Sequence, residues 1–139
     1  MTLKDRQYYE HLDSSPAGVQ VLVRVYCCPC CMYPTVGEPP SCEICPICSW
    51  EDDGCDGGGP NASSLAEAQG YFRAYLTSYS PTHEFSPQFQ RLGRRFVHEQ
   101  ELRPERLDFK RRLIEGLERY MAEPDLRRRG EIWNQLPRE

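Results

Sequence analysis

Eight cysteines lie between Cys27 and Cys55, and none lies elsewhere in the chain. Four of them form two Cys-Pro-x-Cys turns, Cys28-Pro29-Cys30-Cys31 and Cys45-Pro46-Ile47-Cys48. A thiolate pair two residues apart, presented twice, is the mark of a tetrahedral metal site, and such a site replaces the apolar core that a short segment cannot build. Zinc takes its sulfurs at about 2.3 Å. A Cys-x-x-Cys turn sets two of them on one side, with backbone N–H groups directed at them, and proline after the first cysteine pre-sets φ near about −65°. The spacing therefore selects Cys28, Cys31, Cys45 and Cys48 as metal ligands, with thirteen residues between the turns. A site of this kind supplies on the order of 10 kcal/mol of folding free energy, so the segment should be loose without its ion.

Other readings of the same cysteines stay open. Cys27 with Cys30, and Cys42 with Cys45, repeat the two-residue interval and allow a shifted ligand set or a second ion. Otherwise Cys27, Cys30, Cys42 and Cys55 are small packed thiols. Iron in a rubredoxin-type site uses the same four thiolates, and residue types alone do not separate it from zinc. A thioredoxin-like dithiol needs a helix after the first turn, and no helical pattern follows Cys31.

With 39% hydrophobic and 27% charged residues, the 139-residue chain can pack a core as one domain or as a metal module with a helical extension. Its first ten residues are charged and carry no apolar signal segment. The longest apolar run, around Val19 to Val25, is interrupted by Gln20 and Arg24 and is too short for a bilayer. A cytoplasmic location is the expectation, and in a reducing compartment clustered cysteines are ligands before they are disulfides. The net charge of −4 is uneven. Residues 1–87 carry 4 Lys/Arg against 11 Asp/Glu, or −7, and residues 88–139 carry 13 against 10, or +3. An acidic metal module is a poor match for phosphate, which needs clustered cations.

Along the chain, residues 3–13 read as a short helix ending at Asp13-Ser14-Ser15-Pro16. Val19 to Tyr26 places four valines on one face at period two, a strand leading into the first turn. Met32 to Ile44 reads as a hairpin-like loop. Ser64-Leu65-Ala66-Glu67 fits a capping box, predicting a helix to about Tyr79 with Leu65, Ala68, Phe72, Tyr75 and Leu76 on its buried side. A connector over 80–88 follows, then helical patterns in Phe89–Gln100, in Glu105–Met121 behind Pro104, and from Leu126 to Leu136. In the strongest of these, Leu107, Lys110, Leu113, Ile114, Leu117, Tyr120 and Met121 recur at helical spacing. The predicted class is α+β: a small zinc ribbon with a leading strand and following helix over 1–79, and a helical region over 89–139.

Several motifs occur in order: Cys28-Pro29-Cys30-Cys31, then Glu43 through Gly54, then Gly58-Gly59-Pro60-Asn61, then Ser64 through Ala68. Together they closely resemble the cysteine-rich CPCC family of bacterial proteins over roughly residues 26–72. The resemblance implies a rubredoxin-like zinc ribbon followed by a helix, with no established enzymatic activity. Some members are encoded near polymorphic toxins, which implies an immunity or partner-binding role. Two positions depart from the family pattern: Met32 stands where a glycine follows the first turn, and Ser49 where an aromatic follows the second.

The remaining candidates are weaker. Glu51, Asp52, Asp53 and Asp56 lack calcium-loop spacing and read as turn caps or as an acidic surface for a basic partner. His11, His83 and His98 are scattered, and Gly57-Gly58-Gly59 lacks the Lys-Ser/Thr of a nucleotide loop. No serine is framed as a nucleophile. Trp50 and Trp133 read as packing residues. The expected function is a non-enzymatic structural-zinc protein whose partner is a protein, with a basic toxin domain implied by the resemblance and the acidic half. The alternatives are a nucleic-acid-associated module using arginines 91, 94, 95, 103, 106, 111 and 112, and a rubredoxin-like iron redox protein.

Overall fold

A computed structural model describes residues 6–54, 61, 63–79 and 103–138. The predicted connector at 80–88, the pattern in Phe89–Gln100, and Cys55, Asp56, Gly57 to Gly59, His83 and His98 lie outside the described residues. The described part is α+β. A three-stranded antiparallel sheet, β1 (Tyr8–Ser14), β2 (Gln20–Cys27) and β3 (Pro34–Val36), is ordered β1-β2-β3. Three helices follow: α1 (Leu65–Tyr75), α2 (Pro104–Ala122) and α3 (Leu126–Asn134).

The N-terminal segment corrects the helix expected over residues 3–13. It is a strand, paired with β2 from Tyr8↔Tyr26 to Ser14↔Gln20 without interruption. Tyr8, Tyr9 and His11 are indifferent helix formers, and a full ladder with aromatic cross-strand neighbours outweighs a weak local preference. Gly18, at φ +80°, closes the turn by donating to Ser15 O at 2.9 Å. The strand expected from Val19 is present, yet its four valines are not equally covered. Val25 is buried, while Val19 and Val21 are 61% and 47% exposed.

The capping box forms as expected: Ser64 accepts from Glu67 N, and Glu67 reaches back to Ser64 N. The helix ends at Tyr75, short of the expected Tyr79. Leu76 turns into the left-handed region at φ 59° and closes the last turn onto Phe72 O. Tyr75 is consequently exposed and not on the buried side. In α2 the apolar stripe behaves as read, burying Lys110, Leu113, Leu117 and Tyr120. Lys110 is fully buried and donates to Leu76 O at 2.7 Å, where it neutralises carbonyls at the end of α1.

One core runs through these elements. Cys28, Cys31, Cys45, Cys48, Ile47 and Trp50 pack with Leu65 and Ala68 of α1 and with Leu113 and Leu117 of α2. A second junction joins hairpin to helices. His11 of β1 lies nearly parallel to Trp133 of α3, with centroids 5.3 Å apart, and edge-on to Tyr120 of α2 at 5.5 Å. Its Nδ1 is hydrogen-bonded to the Tyr120 hydroxyl at 2.8 Å. Gly130 makes this approach feasible: a Cβ there would collide with the carbonyl oxygen of Leu12. Arg129 completes the junction, donating to Glu10 O at 3.2 Å and lying over the Tyr9 ring at 5.5 Å.

Candidate metal centre

The two Cys-Pro-x-Cys turns have the same backbone. In the first, Cys28 N donates to Tyr33 O and Met32 N to Cys28 O; in the second, Cys45 N donates to Trp50 O and Ser49 N to Cys45 O, all at 2.8–2.9 Å. Each turn ends on a left-handed residue, Met32 at φ 70° and Ser49 at φ 67°. A position usually suited to glycine is therefore filled by ordinary side chains in both turns, and the surrounding hydrogen bonds hold the strained geometry.

The structure brings Cys28, Cys31, Cys45 and Cys48 together. Their sulfurs lie within 4.8 Å of one another, with Cys28–Cys48 at 3.6 Å and Cys31–Cys45 at 3.7 Å. Four sulfurs around one ion at about 2.3 Å stand about 3.8 Å apart at the corners of a regular tetrahedron. Two of the six edges match that figure and the others do not exceed 4.8 Å, so these four cysteines could hold a metal ion. All four are buried, none more than 5% exposed.

The electrostatics point the same way. Burial pushes the thiols of Cys28, Cys31 and Cys48 well above their ordinary range. Burial also acts against a Cys45 thiolate, but hydrogen bonds from Cys28, Cys31 and Cys48, and from the Cys48 backbone, outweigh it and hold that group well below its usual value. A cation at the centre would offset the burial that opposes thiolates here. The Thr35 hydroxyl stands 3.1 Å from the Cys45 sulfur, a further donor for a thiolate.

The other cysteines are placed apart from this set. Burial, with Cys28 beside it, raises the Cys27 thiol to about 11, so it stays protonated. Cys30 is buried in the core and Cys42 is exposed at φ 58°. No second group of three His, Cys, Asp or Glu side chains gathers among the described residues. None of the described cysteines is in a disulfide, and no helix follows either turn as a thioredoxin-like dithiol requires.

Support for the turns comes largely from residues without a sequence signature. Thr77 Oγ1 and Ser78 N both donate to Cys48 O, tying the end of α1 to the second turn. Gln69 Nε2 donates to Pro29 O at 2.9 Å, tying α1 to the first. Asn61, part of the Gly-Gly-Pro-Asn motif, pairs through both ends of its amide with Glu51 N and O, as a neighbouring strand would. Asp52 lies beneath the second turn, in a buried ion pair with Arg6, and accepts from Ser41 N and Oγ. It is a turn cap. Glu38 and Glu43 remain exposed, although Glu43 accepts from Gly37 N at 2.9 Å.

The arrangement defines a small α+β protein organised around a four-cysteine metal-binding centre. A family model described as Cysteine-rich CPCC matches residues 26–84, so over this segment the chain is similar to that family. No curated protein and no solved structure matches the chain at a significant level. No helix among the described residues is long and apolar enough to cross a membrane.

Proposed function

We propose that this chain is a non-enzymatic protein whose four cysteines hold a structural zinc ion, and that the fold so fixed presents a surface to a protein partner. One observation carries the reading: four sulfurs at tetrahedral spacing, all buried. Catalytic zinc keeps a position open for water or substrate, whereas four protein thiolates fill the shell. Zinc, when bound, would supply charge neutralisation and cross-linking, and Cys28, Cys31, Cys45 and Cys48 would hold it. Thr35 and the Cys48 N–H would stabilise the Cys45 thiolate.

The partner is, in this reading, a basic toxin domain neutralised by an immunity-type complex. The −7 charge of residues 1–87 and the exposed Glu38 and Glu43 support it, since complementary charge speeds and orients docking. The arginine-rich alternative has less support. Arg106 donates to Pro46 O, and Arg112 lies 3.8 Å from Asp108 on its own helix.

Metal analysis of protein purified under reducing conditions tests the first part: about one zinc per chain is expected, and a red, iron-loaded protein would transfer the site to electron transfer. Co-expression with the protein encoded beside it tests the second. Co-purification and relief of toxicity are expected; the absence of both overturns the immunity role.

A further inference from the structure

A cavity of about 390 Å³ lies between the cysteine module and the C-terminal helices. Pro34 and Pro46 form one wall, Phe109 and Leu117 of α2 another, and Trp133 of α3 a third. Small-molecule sites span roughly 300–1,000 Å³ and are built in this way, mostly apolar with a few convergent polar groups. Here the polar groups are Thr35 and Arg138. The Thr35 hydroxyl is already engaged by the Cys45 sulfur at 3.1 Å and by Tyr33 O at 3.4 Å, so it offers an incoming charge no free donor. Arg138 is exposed at the rim, makes no ion pair among the described residues, and is the only charged side chain in the lining.

We propose that this cavity binds a small apolar carboxylate. Its hydrocarbon part lies against the partly exposed Phe109, Trp133 and Leu136, and its carboxylate stays at the rim on the Arg138 guanidinium. The charge distribution selects this occupant. Burying an anionic head inside would leave it without a donor, whereas the planar guanidinium offers two parallel hydrogen bonds at the mouth. A cationic amphiphile would bring like charges together, and a neutral one would forgo the ion pair. The occupant would also abut Thr35, one hydrogen bond from the metal centre.

Three eight-carbon probes on the full, metal-replete chain test this by calorimetry, with amide and indole chemical shifts to locate them. Octanoate should bind saturably and about tenfold more tightly than octanol, the scale of one charge-assisted hydrogen bond. Octylammonium should not saturate. Shifts should centre on Phe109 and the Trp133 indole. Arg138→Gln, a change at an exposed site, should erase the advantage of octanoate and leave octanol unchanged. Equal affinity for the three probes, an octanoate advantage that survives R138Q, or shifts centred elsewhere would overturn the proposal.

Discussion

The cysteine module and the aromatic junction solve the same problem by different means. In the module the centre is four sulfurs, and the chain around them is held by turns, caps and single hydrogen bonds. At the junction the centre is three rings, His11, Tyr120 and Trp133, contributed by three regular elements that each bring apolar area of their own. The ion is a single cross-link among four side chains, so its loss releases all of them at once. Ring packing degrades gradually as contacts are lost. Removing the metal should therefore melt one region before the other.

Chelation, or Cys45→Ser, should have the largest effect. Loss of the ion removes on the order of 10 kcal/mol from the module, and amide protection over residues 27–54 should collapse. The ring-current shifts of Trp133 and Tyr120 should persist. If both sets of signals vanish together, the shared residues Leu113 and Leu117 fuse the two regions into one cooperative unit.

Next in size is Gly130→Ala, which places a methyl group against the Leu12 carbonyl and should cost about 1–3 kcal/mol, as overpacking does. Denaturation should show the loss, while metal content stays unchanged. A variant that also loses metal would show that the junction supports the centre.

Acidification probes the junction through His11. Burial lowers its pKa below 6.5, with Asp13 opposing and Arg129 reinforcing. The unfolded chain takes up the proton near 6.5 and the folded chain only at lower pH. The contribution is thus intact above pH 6.5 and declines as pH falls below it, at no more than about 1.4 kcal/mol per pH unit. His11→Phe should flatten the difference in denaturation midpoint between mildly acidic and neutral buffer. An unchanged pH dependence would assign the titration to other groups.

The smallest effect belongs to the left-handed residues closing the turns. Met32→Gly and Ser49→Gly should each stabilise the holo-protein by about 0.5–1 kcal/mol, the relief of a Cβ clash less the added freedom of the unfolded chain. Destabilisation by either would mean that the side chain contributes packing which outweighs the strain.

The contrast between regions also explains what was legible in the chain. The centre was readable because chemistry imposes residue type and interval together, and the family motif sharpened it. The repeated Cys-Pro-x-Cys interval pointed to Cys28, Cys31, Cys45 and Cys48, the four whose sulfurs converge, whereas neither Met32 nor Ser49 signals the positive φ that closes its turn. Thr35, Gln69, Thr77 and Arg6 support the turns through contacts 10 to 46 residues apart, which no local pattern encodes. Capping chemistry placed the start of α1 correctly, but its end was set by the left-handed Leu76 and by Thr77 and Ser78 bonding to Cys48 O of the second turn. The first strand was read as a helix because its identity depends on pairing with β2. The apolar stripe of α2 was legible because one face satisfies both its period and its burial.

Gly130 has a consequence for recognition. Cys27 N bonds to Gln7 O, so the even-numbered carbonyls of β1 face away from β2, and α3 sits on two of them, through Arg129 at Glu10 and Gly130 at Leu12. The opposite border is β3, three residues long and opening with a proline that has no N–H to offer. Neither margin of the sheet is then a template for an added strand. A binding protein must read side chains on this molecule, and runaway edge-to-edge assembly is blocked by the same helix.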